Sequence, residues 1–138
     1  MLTRVLFALV LICLAVPASA QEAKVLALGL ADHEVTPEEL DKGATLPVPR
    51  FNSPAIAYAR VANLKKGDVV EIALVNGDTP LLHNTETLAK DQASFLLQAG
   101  KRGVPAGGWP EGSYHAALKV TRDGKALIEQ SSPPIPFE

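Results

Sequence analysis

Ser113-Tyr114-His115-Ala116-Ala117-Leu118-Lys119-Val120-Thr121, then Arg122-Asp123-Gly124, then Lys125-Ala126-Leu127-Ile128-Glu129-Gln130, reads as a complete β-hairpin. Tyr114, Ala116, Leu118 and Val120 alternate with Ser113, His115, Ala117 and Lys119, the two-residue period of a strand with one buried face. The Tyr114 side is expected in the core and His115 in solvent. Asp123-Gly124 supplies the left-handed backbone that a tight hairpin requires. Just upstream, Trp109-Pro110-Glu111-Gly112 leads into the first strand. A Gly two residues before a Tyr at the start of a late strand fits the tyrosine corner of β-sandwiches, in which the phenol caps upstream backbone and the ring plugs the core.

The same grammar extends towards the N-terminus. Val70, Ile72 and Leu74 share a core face within a strand at Asp68 to Val75, flanked by the turns Lys65-Lys66-Gly67 and Asn76-Gly77-Asp78. Further strands are expected at Val25 to Leu30, Ala55 to Leu64 and Leu81 to Leu88. Ala93 to Ala99 is ambiguous, because Phe95 and Leu97 share a face that Leu96 opposes, and Thr87 to Gln98 also suits a short helix; a strand is the preferred reading. Between Asp32 and Pro54, Pro37, Pro47, Pro49 and Pro54 forbid long regular pairing. Thr36-Pro37-Glu38-Glu39-Leu40 suits one helical turn ended by Gly43. The tail, Ser131 to Glu138, contains Pro133, Pro134 and Pro136 and is expected to be extended, with Ile135 and Phe137 docked on the domain.

Short strands separated by regular turns predict an all-β, single-domain fold, an immunoglobulin-like antiparallel β-sandwich of about seven strands, with a small barrel as the alternative. The chain divides into a leader (1–20), a first strand with a proline-rich crossing segment (21–54), the main sandwich body (55–130) and the proline-rich tail (131–138).

The leader has the form of a secretory signal. Arg4 precedes a charge-free run from Val5 to Val16, and Ala18-Ser19-Ala20 gives the small-residue pattern of a cleavage site. That run is too short to span a membrane, which takes roughly 20 residues. Cleavage after Ala20 would leave 118 residues of net charge −3, with neither Cys nor Met, since Cys13 and Met1 both lie in the leader. Disulfides, thiol nucleophiles, iron-sulfur clusters, thiolate zinc and blue-copper sites are thereby excluded from the mature chain. A negative chain with scattered Lys and Arg is not expected to bind nucleic acid.

Leu64-Lys65-Lys66-Gly67-Asp68-Val69-Val70, Asn84 to Ala93, Ala99-Gly100-Lys101-Arg102, Trp109 to Tyr114 and Arg122-Asp123-Gly124 together resemble an immunoglobulin-like, non-catalytic accessory domain found beside the peptidase domain of some bacterial lysostaphin-type cell-wall endopeptidases. The resemblance covers roughly residues 57–130 and includes no peptidase domain. It implies a sandwich fold, an envelope location and an accessory role.

Candidate site residues are few. Trp109 with Lys101 and Arg102 would make an aromatic and basic loop rim suited to a glycan or an acidic partner; the competing and preferred reading places Trp109 and Tyr114 in corner and core packing. Asp32-His33-Glu34 offers three metal-ligating types in a row, but adjacent side chains of an extended chain diverge, so one ion would need His83 or His115 brought near by folding. No metal site, cofactor or catalytic residue is assigned. Ser113 lacks the second glycine of a nucleophile elbow, and Glu38, Glu39 and Asp41 read as a solvated cluster. The expected function is that of a non-enzymatic, exported envelope module that binds another envelope protein through an exposed sheet edge or the loop from Gly100 to Gly112. The alternative is a binder of cell-wall glycan or a divalent metal.

Overall fold

The structure, a computed structural model, describes residues 22–43, 45–101 and 103–138. The leader read at residues 1–20 lies outside them, as does Arg102. Eight strands and one short helix follow in the order β1 (Lys24–Ala31), α1 (Pro37–Asp41), β2 (Ala55–Leu64), β3 (Val69–Asn76), β4 (Thr79–Thr87), β5 (Gln92–Lys101), β6 (Ser113–Arg122), β7 (Lys125–Ser131) and β8 (Ile135–Pro136). They form two antiparallel sheets, β1-β2-β5 and β4-β3-β6-β7, with the two-residue β8 beside the start of β6. This is the immunoglobulin-like sandwich expected, with seven full strands. The stretch at 92–101 is a strand throughout, because its pairing with β2 runs from Leu64↔Gln92 to Ala55↔Lys101. β4 begins two residues before the expected Leu81, admitting Pro80, which an outermost strand tolerates.

The alternation read in the hairpin holds. Tyr114, Ala116 and Val120 are fully buried and Leu118 nearly so, beside Val70, Ile72 and Leu74 of the neighbouring β3 and in one core with Ala57, Ala59 and Val61 of β2. His115 is half-buried rather than fully exposed. Asp123 and Gly124 both take positive φ, 52° and 79°, as the tight turn demands.

β6 is pinned at both ends. At its start, the Tyr114 hydroxyl donates to the Pro110 carbonyl, the tyrosine corner, and its ring stacks on Phe137 with centroids 3.8 Å apart. At its end, Arg122 donates through Nε and Nη2 to the two oxygens of Asp68, each at 2.8 Å. Asp68 is 1% exposed and also accepts from the Lys65 N–H. The Arg122 guanidinium, helped by that N–H and opposed by burial, holds the Asp68 carboxyl below its ordinary range. The tail continues the β7 side of β6 despite its prolines. Ser132 replaces a ladder position: its N–H donates to Ala116 O while its Oγ accepts from Ala116 N–H.

The crossing segment is docked on the outer face of the first sheet. Residues at alternate positions of β2 serve different masters: Ala55, Ala57 and Ala59 face the core, whereas Ile56, Tyr58 and Arg60 face outward. Ile56 is nevertheless only 2% exposed. It stands between Ala31 and Gly100, and a Cβ on Gly100 would lie 2.6 Å from the Ala55 carbonyl and against Ile56 itself, so glycine makes the room. Val35 is buried close by, its backbone N–H and C=O both held by the Gln98 side-chain amide at 2.7 and 2.9 Å.

Candidate functional site

The loop rim read from sequence is not assembled around an available indole. Trp109 is 6% exposed, packs edge-on against Tyr114 and Phe137, and donates its Nε1–H to the Ser53 carbonyl at 2.8 Å. Its backbone N–H bonds Phe51 O at 2.8 Å, so the residue staples the crossing segment to the sandwich. The indole face and its one donor are both spent on packing, so Trp109 itself offers no ring for a sugar to stack on. Lys101 ends β5 opposite Ala55. The loop between β5 and β6 turns at Pro105–Gly108, where Gly107 and Gly108 take positive φ and Gly108 N–H reaches Pro105 O.

The three histidines do not converge. His83 lies opposite Ala73, and His115 opposite Val75, on the outward face of the second sheet. His33 belongs to the outer side of the first. The chain bends immediately after β1, so Asp32 and His33 meet instead of diverging: His33 Nδ1 is 2.8 Å from Asp32 Oδ1, and Nε2 is 2.7 Å from Glu39 Oε2. The carboxylates occupy opposite ring nitrogens, so one ion cannot touch both and the imidazole together. Among the described residues, no group of three or more His, Cys, Asp or Glu side chains could hold a metal ion. Asp32 first and Glu39 second raise the pKa of His33 above its ordinary 6.5.

Glu39 is at the same time the third residue of α1 and half of a capping box. Its Oε1 accepts the Thr36 N–H at 3.0 Å, while Thr36 Oγ1 accepts the Glu39 N–H at 3.2 Å. The sequence signal for the helix, Thr-Pro-Glu-Glu, was therefore also the signal for the histidine's partner. Beyond the helix, Arg60 Nη1 donates to Asp41 Oδ1 and to Pro37 O.

The most accessible secondary structure is β4. It is the outermost strand of its sheet, bonded only to β3, and eight of its nine residues are exposed, with Leu82 the exception. Its sequence, Thr-Pro-Leu-Leu-His-Asn-Thr-Glu-Thr, has one charged side chain, Glu86. Outermost strands ordinarily defend their free backbone groups with charges, prolines or bulges. β7, at the opposite edge of this sheet, has Lys125 and Glu129 in seven residues. β4 places its proline and its bulge together at Pro80 to Leu82, leaving His83 to Thr87 regular. Part of β5 lies alongside it, where the Asn84 side chain donates to Gln98 O at 2.9 Å.

No protein-family profile matches this chain, and no curated protein is significantly similar to it in sequence.

Proposed function

We propose that this protein is a non-enzymatic, exported module of a bacterial envelope that binds another envelope protein by accepting an extended segment of it along β4. The carrying observation is the nine-residue β4 itself, exposed along almost its whole length and guarded by one charge. Backbone groups on such an edge supply affinity without a pre-formed pocket, and alternate side chains of the added strand supply specificity. The export reading of residues 1–20 and the resemblance to envelope accessory domains favour the compartment, and the mature chain lacks the Cys and Met on which several catalytic chemistries depend.

The test compares edges. His83 and Thr85 are both exposed, so the double variant His83→Lys with Thr85→Lys should fold as the parent does while blunting β4. Tagged protein recovered from its own envelope by crosslinking should bring down a partner that this variant loses and that Leu127→Lys, on β7, retains. Recovery of no envelope protein by the parent, or of the same partner by both variants, would sink the proposal.

A further inference from the structure

Helix α1 is attached to the sandwich without burying a single residue. Five residues of helix are too few to be stable alone, so whatever fastens them decides whether they stay helical. Beside the half-buried Leu40, the fastenings are polar: Arg60 to Asp41 and Pro37 O at the helix itself, and His33 to Glu39 at its third residue. His33 is the one member whose charge changes near neutral pH. Both its ring nitrogens face carboxylate oxygens, at 2.8 and 2.7 Å. A neutral imidazole has one N–H and one lone pair, so it would satisfy one carboxylate and set its lone pair against the other. Only the imidazolium, a donor at both ends, fits the arrangement.

We propose that His33 is a proton-operated latch, which in its doubly protonated form joins Asp32 to Glu39 and holds α1 over the outer face of the first sheet, and on losing its proton releases residues 36–42 and uncovers Arg60. Arg60 has a side chain only 15% exposed in the closed form, so its release changes both the shape and the charge of this face. Opening stops at Val35, because the Gln98 amide and burial hold that residue independently of His33. The latch is thus hinged on a fixed point.

The ionisable groups around the ring are Asp32 and Glu34 on its own segment and Glu39 from α1, while Pro54, just before β2, and Ile56 within it lie beneath the corner. Across a groove of about 560 Å³ on the far side of Asp32 stand Arg50 and Glu138. Because the pKa of His33 is raised, the latch is complete below 6.5 and opens as pH rises through the raised value. At the acid end, Glu39 is held below its ordinary 4.5, chiefly by His33, and the latch fails again only as pH falls through that lowered value.

The test is hydrogen exchange followed by NMR on the whole protein at about pH 6 and about pH 8.5, corrected for intrinsic base catalysis, alongside titration of the His33 ring protons. The amides that report are Leu40, bonded to Thr36 O, and Lys42, bonded to Glu38 O. Their protection should fall about tenfold or more across the His33 titration, while β6 amides do not change. His33→Gln should abolish the pH step and leave α1 loose at both values. Glu39→Gln keeps a capping-box residue but removes the charge, and should move the His33 titration down towards 6.5. Constant α1 protection, a pH step that survives His33→Gln, or a His33 titration unmoved by Glu39→Gln would each overturn the latch.

Discussion

Two attachments near the start of β2 are built on opposite principles. Trp109, Tyr114 and Phe137 close one with three mutually packed rings, two of them edge-on at 6.3 and 6.1 Å and one pair stacked. Helix α1 closes the other with carboxylates, a histidine and an arginine, and has no fully buried residue. Burial of large rings is insensitive to pH and contributes to the global stability of the core. An exposed polar clamp contributes little globally, is titratable, and opens locally. The difference assigns rigidity to the aromatic corner and responsiveness to the helical one.

The contrast breaks most visibly at Tyr114. Tyr114→Ala removes a fully buried ring and should lower unfolding stability by about 4 kcal/mol in urea denaturation, with every region of the protein affected together. Arg122→Ala leaves the buried Asp68 carboxylate without its guanidinium and should cost about 3 kcal/mol at neutral pH. Since Arg122 holds the Asp68 pKa down, the parent keeps that contribution above 3.8 and loses it as pH falls through the depressed value. A thermal-melt series from pH 5 downward should therefore show the gap between parent and Arg122→Ala shrinking with acid. Trp109→Phe retains a ring but forfeits the bond to Ser53 O, and should cost about 1 kcal/mol by the same melts. The smallest global effect belongs to the other corner: Thr36→Ala removes the helix cap and should raise exchange at Leu40 and Lys42 while leaving the melting midpoint within error. A global shift from that change as large as the one from Trp109→Phe would erase the distinction between the corners.

How far the sequence reached follows the same division. Residues whose role is set by local period or by a turn were legible: the Tyr114 and Val70 faces, the Asp123-Gly124 turn, the helical turn within Thr36 to Leu40, and the docking of Ile135 and Phe137. Roles that depend on long-range meetings were not. Asp68 reads as the first residue of a strand until Arg122, 54 positions later, arrives to make it half of a buried ion pair. Nothing in the local pattern marks Gln98, which grips Val35 from 63 positions away. Ser132 looks like linker until proline removes the ladder donors around it. His33 read as a weak metal candidate because an extended chain separates neighbours; the bend after β1 made it a bridge between two carboxylates instead. Trp109, weighed as a ligand platform or a corner residue, takes the corner. An exposed sheet edge was expected as a contact, but only the topology identifies β4 as the outermost strand of its sheet.

The central claim, that β4 is where a partner adds, is tested most directly by site-specific photocrosslinking in the intact envelope. A photoreactive side chain at Thr85 on β4 is compared with one at Leu127, 43% exposed on β7 of the same sheet. The account predicts a discrete adduct with one envelope protein from Thr85 and none from Leu127. Equal adducts from both positions, or none from Thr85, would contradict it.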